Sequence, residues 1–463
     1  MSNHLSQIES KLIDALGVDA VMVGPDVSDR YAVDWGGESP CLPPMVVKPA
    51  DTEAVSRVLK LCHEMNQPVV VQGGLTGLSG GSTPQENEVA VSLERMTGIE
   101  ELDSASMTMT VLAGTPLQKV QDAAADAGFA FPLDLGARGS CAIGGNVATN
   151  AGGNQVIRYG MTRALVLGLE AVLADGTVVT SLNKMLKNNA GYDLKHLFIG
   201  TEGTLGIITR IVLKLFPQMK SRNSGLLAVS GFDQVVELLK FCSQSFVGAV
   251  SSFEVMWDNY FDVALKQVRD GQSPFDESHP FYVLLEVEGA DQSQDSERFE
   301  QALFAAMEQG LVVDAIIAQS EKESESFWEI RDAIGEILST LGALANFDVG
   351  LPVSKMNGFL AETEKRLRNK FDPLILMVFG HLGDGNLHMV ASTGDQAAVN
   401  EIYRSVYEVV GEYGGSVTAE HGIGTMKIPY LHYSRSHAEI QLMKTLKATL
   451  DPKGILNPRR VLP

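Results

Sequence analysis

The sequence predicts an α+β protein of two principal domains, and three observations carry that reading. At 463 residues the chain exceeds what one ordinary hydrophobic core supports, so about two to three domains are expected. Strand-like and helix-like patterns mix up to Pro217, with glycines concentrated between residues 73 and 206. Beyond Pro217 longer helical patterns such as "SERFEQALFAAMEQG" alternate with strands such as "FYVLLEVEG" and "LILMVFGHL". These textures place one domain over residues 1–218 and a second over 219–448. A last segment, 449–463, is too proline-rich for a helix and is expected to pack back on the first domain.

Each element has a local reason. "MSNHLSQIESKLIDALG" reads as an acidic amphipathic helix. "MVVKPADTEAVSRVLKLCHEMNQPVVVQGG" reads strand, helix, strand, with Asp51 or Thr52 starting the helix and Val55, Val58, Leu59 and Cys62 forming its apolar stripe. "EVAVSLERM" and "MTMTVLAGTPL" are strand-like, and "LQKVQDAAADAG" is a helix stopped by Gly128. "LVLGLEAVLADGTVVT" predicts two strands joined at Asp175-Gly176, and "LGIITRIVLKLFP" a strand ended by Pro217.

A second hairpin is predicted in "MVFGHLGDGNLHMV", residues 377–390. If Asp384 and Gly385 are its two turn residues, His381 faces His388 directly, with Cβ atoms roughly 4.5–5.5 Å apart. Two imidazoles so spaced can converge on one metal ion at about 2.0–2.1 Å per bond.

Composition narrows the function classes. Apolar content of 45% and charged content of 20% are those of a globular protein. A formal charge of −21 argues against nucleic acid or an anionic membrane as partner. No apolar run approaches the ~20 residues of a membrane span. Cys41, Cys62, Cys141 and Cys242 are scattered without a C-x-x-C, so neither a disulfide framework nor a zinc knuckle is expected. Free thiols suit a reducing compartment, and the N-terminus lacks secretory or transit character. The expected compartment is the cytoplasm.

Three glycine-rich stretches carry the binding chemistry. "VVVQGGLTGLSGGS" (69–82) follows a strand, and its glycines let amide groups converge on an anion. It is neither a Rossmann fingerprint nor a P-loop. "PLDLGARGSCAIGGNVATNAGGNQVIRYG" (132–160) carries almost no bulky side chain between residues 139 and 154, as a backbone wrapped around an extended polar ligand requires. "GTEGTLGIIT" (200–209) adds a third loop before a strand. Three such loops in one domain point to a long ligand with a diphosphate, and a dinucleotide is the natural candidate.

These loops resemble the FAD-binding domain of the vanillyl-alcohol oxidase/p-cresol methylhydroxylase type. Together with "GHLGDGNLH", "AEHGIG" and "LDPKGILNP" they resemble the FAD-linked D-2-hydroxy acid dehydrogenases, the match running from about residue 40 to the C-terminus. The resemblance implies a p-cresol methylhydroxylase-type FAD domain followed by an α+β substrate and metal domain with an antiparallel sheet. It implies non-covalent FAD held by Gln72, Gly73, Gly74, Leu75, Thr76, Gly77 and Leu78 in the first loop. In the second loop it implies Asp134, Leu135, Gly139, Ser140, Gly144, Gly145, Asn146, Thr149, Asn150, Gly152 and Gly153. In the third it implies Glu202, Gly206, Ile207 and Ile208.

"SVTAEHGIGTMK" sets Glu420 and His421 before a glycine-rich turn. With His381 and His388, Glu420 completes a two-histidine, one-carboxylate set that leaves open positions on a divalent ion. The resemblance puts a metal on these three residues and makes Zn2+ the expected ion, although the donor set also suits manganese, cobalt or iron. His421, an imidazole with an ordinary pKa near ~6.5, is the expected catalytic base for the substrate hydroxyl. Arg331 in "SFWEIRDAIGEIL" is the candidate for gripping a substrate carboxylate, against a plain ion pair with Asp332 or Glu336; Asn386 resembles the family's substrate-touching asparagine.

The expected reaction is oxidation of a D-2-hydroxy acid to the 2-oxo acid with hydride transfer to flavin, D-2-hydroxyglutarate to 2-oxoglutarate first. D-Lactate or another short 2-hydroxy acid is the alternative, because Gly335 and Asn346 stand where the resemblance leads one to expect groups for a distal carboxylate. A glycolate oxidase-type flavin subunit of a larger complex is another. The expected electron acceptor is an electron-transfer flavoprotein or a quinone, with homodimerisation left open.

Overall fold

The computed structural model describes residues 3–37 and 39–463. The chain forms two compact units, the first built from Met1–Gly153, Gly160–Gln218 and Glu420–Pro463, the second from Asn154–Tyr159 and Met219–Ala419. The sequence reading starts the return to the first domain at residue 449; in the structure everything from Glu420 onward already belongs to the first unit. That includes the helix His437–Leu450, whose own pattern says nothing about which core it covers. Among the described residues no helix is long and apolar enough to cross a membrane.

The first unit holds two sheets. Strands Met45–Val47, Val89–Ser92 and Val69–Gln72 run parallel, with Val21–Val23 antiparallel at the edge. Helix Thr52–Glu64 crosses between the first and last of those parallel strands. Asp51 caps it by accepting the Ala54 amide at 2.7 Å, and Val55, Val58, Leu59 and Cys62 are all fully buried. Each such aliphatic side chain contributes about 1.5–3 kcal/mol by leaving water. The second sheet is antiparallel, in the order Ile99–Asp103, Thr108–Leu112, Ile207–Lys214, Val166–Val172, Val178–Ser181. Its last two strands are the predicted Asp175-Gly176 hairpin, closed by the Leu173 and Thr177 backbones, with Gly176 at φ 88°.

The chain's last residues complete this unit. Leu456 bridges Val69 in parallel, and the Val71 amide donates to Asn457 Oδ1 at 2.8 Å. Arg460 is buried and donates to both carboxylate oxygens of buried Glu88, at 2.7 and 2.8 Å.

The second unit is organised by a seven-stranded antiparallel sheet. The order is Asp314–Ile317, Ser221–Val229, Phe281–Gly289, Val250–Trp257, Ile375–His381, Asn386–Ser392, Ala345–Gly350. Helices Asp258–Val268 and Glu321–Asp332 cover part of it through a core containing Tyr260, Phe261, Phe327 and Ile330. Tyr260 and Phe379 stack there at 4.4 Å between ring centroids.

The hairpin after Ile375–His381 departs from the expected two-residue turn. A short 3-10 turn, Leu382–Asp384, is followed by Gly385 at φ 84°. Phe379 pairs with His388, so the register continues with His381 opposite Asn386 rather than His388. The slip is two residues, and since side chains alternate with period two, both histidines keep the same face. Gly385 is required: its φ suits glycine, and a Cβ would stand 2.8 Å from the Leu351 carbonyl oxygen.

Candidate active site

In the first unit the loop after Val69–Gln72 is a cradle of unused donors. Among the described residues, no backbone N–H from Gly74 to Gly81 donates to another protein group, although this stretch is at least half-buried. Converging unpaired amides of this kind form an anion-binding nest. Neighbouring backbone comes so close that a Cβ on Gly74 would overlap the Ser140 carbonyl. Gly136, Gly139 and Gly145 instead face open space, so protein packing does not demand glycine there. A cavity of about 710 Å³ opens beside Gly73, Gly74, Leu75, Ser140 and Ala142. Its other walls, among them Arg30, Trp35, Ser92, Glu94 and Pro116, went unnoticed in the sequence because no glycine pattern marks them. The donor loop and the empty space beside it fit a diphosphate-bearing cofactor.

Other residues of the glycine stretches hold the cradle's shape. Gln72 is buried and donates to the Tyr31 and Ser82 carbonyls at 2.9 and 3.0 Å. Asp134 pairs with Arg138 at 2.7 Å, Asn146 Oδ1 accepts from the Cys141 thiol, and Thr149 bonds the Gly145 carbonyl at 3.0 Å. Asn150, at φ 51°, accepts the Arg163 amide at 2.9 Å. Ile207 and Ile208 are buried at the start of their strand, and Gly206 packs against Phe198.

Glu202 has a different task. Its carboxylate accepts the Ile423 and Gly424 amides at 2.7 and 2.8 Å, fixing the turn that follows Glu420 and His421. Burial pushes its pKa up, opposed by those two hydrogen bonds. Glu420 Oε1 in turn accepts the Gly153 amide at 2.7 Å, and the His421 carbonyl accepts from the Ser79 hydroxyl at 3.1 Å. All three glycine loops thus brace the 420–424 turn.

In the second unit His381 and His388 come together on one face of the sheet, with ring centroids 5.2 Å apart and planes at 80°. Both are buried. His381 Nδ1 lies 2.7 Å from Glu254 Oε1, directly across the strand pair. Glu254 Oε2 accepts from Arg331 Nε at 2.8 Å, and Arg331 Nη2 lies 3.0 Å from His381 Nε2. Burial alone would raise the Glu254 pKa, but the Arg331 charge and the hydrogen bonds from His381 and Arg331 hold it well below the ordinary carboxylate range. Burial would lower that of Arg331, but Glu254 and Asp332 raise it further, so the guanidinium stays charged. Arg331 does pair with Asp332, at 2.9 Å, and its strongest commitment is to Glu254, which the sequence reading did not single out. The available signal was an acid inside the apolar strand "SSFEVMW".

Asp348 is the cross-strand partner of His388 and accepts from the Thr418 hydroxyl at 2.9 Å and the Ala419 amide at 3.2 Å. Asn386 is 3% exposed, and among the described residues neither its amide oxygen nor its nitrogen has a hydrogen-bond partner. Leaving such a group unsatisfied is costly, which keeps Asn386 a candidate for contact with a bound molecule. An imidazole with a carboxylate on Nδ1 suits metal ligation through Nε2. The donor chemistry therefore fits a divalent ion, provided Arg331 gives up its bond to that nitrogen.

Comparison with known proteins agrees with this architecture. The FAD binding domain family matches residues 43–181, and the family of FAD linked oxidases, C-terminal domain, matches residues 218–461. The chain is 39% identical over 464 residues to D-2-hydroxyglutarate dehydrogenase, mitochondrial, of Arabidopsis thaliana, covering 99% of this chain and 82% of that protein. It is 39% identical over 446 residues to the protein of the same name from Bos taurus, covering 96% and 81%. The p-cresol methylhydroxylase structure superposes with a TM-score of 0.78 at 16% identity, over 99% of this chain and 97% of that one, as the expected fold requires. These relatives are named mitochondrial, which overturns the cytoplasmic expectation. Free thiols had no power to decide it, because any reducing compartment preserves them. The chain belongs to the FAD-linked oxidase family, in the group of the D-2-hydroxy acid dehydrogenases, and is an FAD-dependent oxidoreductase acting on the CH–OH group of a hydroxy acid.

Proposed function

We propose that the chain oxidises D-2-hydroxyglutarate to 2-oxoglutarate, using FAD and a divalent metal, Zn2+ first, held by His381, His388 and Glu420. The observation that carries the reading is the buried pair of imidazoles on one sheet face, one already oriented by Glu254. Glu420 joins the set because it directly follows Ala419, which is bonded to the cross-strand partner of His388. When bound, the metal supplies Lewis-acid polarisation of the substrate hydroxyl, and FAD supplies the hydride acceptor.

The chain's own residues do the rest. The carboxylate of Glu254 keeps the His381 proton on Nδ1 and leaves the Nε2 lone pair for ligation. The imidazole of His421 takes the hydroxyl proton from substrate. Arg331, oriented by Glu254 and Asp332, offers its guanidinium N–H groups to a substrate carboxylate, and Asn386 offers a donor group and an acceptor to the substrate's oxygens. A shorter substrate such as D-lactate is the second reading. Gly335 has open space around it and no side chain to reach a distal carboxylate. Electrons then pass to an electron-transfer flavoprotein or a quinone.

Anaerobic bleaching of the flavin tests the proposal. Purified holoprotein is mixed with D-2-hydroxyglutarate, D-lactate, D-malate and their L-isomers. Fastest bleaching by D-2-hydroxyglutarate, lost on chelation and restored by Zn2+, is the expected result. Bleaching that survives complete metal removal sinks the metal, and preference for D-lactate sinks the diacid.

A further inference from the structure

A large aromatic side chain stands exposed where the fold has gone to some length to hold it. Trp35 is 79% exposed, while the backbone on both sides of it is pinned. The Trp35 amide donates to the Leu75 carbonyl at 3.0 Å and the Gly36 amide to the Gly77 carbonyl at 2.9 Å. Asp34 accepts the Ser82 amide at 3.1 Å and the Thr83 hydroxyl at 3.0 Å. Gly36 lies flush on the glycine loop, since a Cβ there would stand 2.5 Å from Leu78 backbone atoms. An indole exposed on a rigid backbone, on the wall of a 710 Å³ cavity, is a surface waiting for a flat partner.

The orientation of the loop identifies that partner. The Gly80–Gly81 end of the nest lies against Thr425 and Gly424, in the turn that follows His421. The opposite end, Gly73 to Leu75, opens into the cavity beside Trp35. A dinucleotide whose diphosphate sits on the intervening amides therefore has its flavin towards His421 and its nucleoside in the cavity. The guanidinium of Arg30 at that wall is already paired with Glu94, which leaves a π face rather than a charge as the recognition element. We propose that Trp35 is the adenine platform of the FAD site, stacking its indole on the base. This places an FAD contact outside residues 43–181, the stretch matched by the FAD binding domain family. The inference rests on FAD binding and on the proposed place of His421 at the reacting end of the flavin, not on the metal or on which hydroxy acid is oxidised.

The test uses flavin-stripped full-length protein and reads binding rather than turnover. ADP should compete with FAD for the unmodified protein and quench its tryptophan fluorescence. Trp35→Phe should remove most of that quench, leaving the signal of Trp257 and Trp328. Trp35→Ala should weaken FAD about 10- to 100-fold, as expected for loss of one base-stacking aromatic, with Trp35→Phe close to wild type and FMN binding equal in all three. Failure of ADP to compete in the unmodified protein overturns the proposal without any variant having to fold. So does an unchanged FAD affinity in Trp35→Ala of native circular dichroism. Absence of FAD binding by the unmodified protein would instead strike the cofactor assignment itself.

Discussion

Glu254 and His381 face each other across adjacent strands, carboxylate oxygen to Nδ1 at 2.7 Å, at a site where both are buried. The same carboxylate holds Arg331, so one acid both selects a histidine tautomer and neutralises a buried cation. Glu254→Gln should weaken divalent-metal affinity about 10- to 100-fold, the usual cost of losing a carboxylate behind a ligating histidine. It should also destabilise the second unit by about 3–5 kcal/mol, because Arg331 is left without its buried counter-ion. Metal titration of the FAD-loaded protein and denaturant unfolding measure the two effects separately, and an unchanged metal affinity would remove His381 from the ligand set.

His421→Ala should slow flavin reduction by substrate about 100- to 10,000-fold, the range lost with a positioned general base. Bound FAD should be retained, because His421 meets Ser79 through its backbone carbonyl, which the substitution preserves. Stopped-flow reduction alongside the flavin-to-protein ratio checks both halves.

Gly74→Ala should release FAD while leaving the second unit intact. The added methyl overlaps the Ser140 carbonyl and crowds Cys141 Cα at 2.8 Å, forcing apart the two glycine loops. The expected outcome is colourless protein with an otherwise folded circular dichroism spectrum.

Cysteine chemistry should be nearly silent in the native protein. Burial pushes the Cys62 and Cys242 thiols up to about 12 and raises Cys141 as well. The thiolate is the reactive form, so these three remain protonated and inert as pH rises through 8 to about 9. A colorimetric thiol reagent should titrate one group, Cys41, in the folded chain and four after denaturation.

Arg460→Ala should lower the stability of the first unit by about 3–5 kcal/mol, since it strands the Glu88 carboxylate in a fully buried site. Arg460 also donates to the Gly81 and Thr83 carbonyls, so FAD affinity should fall with it. Thermal melts with and without added FAD distinguish loss of fold from loss of the loop alone.

What could be read from the residues followed from local rules. Asp51 caps its helix and Gly176 turns its hairpin because each depends only on neighbours in sequence. The two histidines land on one face even though the turn between them was misread, because a two-residue slip preserves strand parity. Where contacts are distant in sequence, the reading had no purchase. Glu254 lies 127 positions from His381, Glu202 braces a turn more than two hundred residues downstream, and Trp35 gains meaning only beside Leu75 and Gly77. The compartment was misjudged for another reason, since cysteine usage reports redox poise and not which organelle maintains it.

The route of the polypeptide through the first unit has a consequence for biosynthesis. Val69 and Val71 are secured by Leu456 and Asn457, so the strand leading into the first glycine loop is stitched by residues translated several hundred codons later. The ribosome therefore delivers the whole of the second unit before the first can close. A nascent chain stalled before residue 420 should therefore emerge with its seven-stranded sheet made, with the strand Val69–Gln72 lacking its Leu456 and Asn457 contacts, and should take up FAD only once the chain is completed.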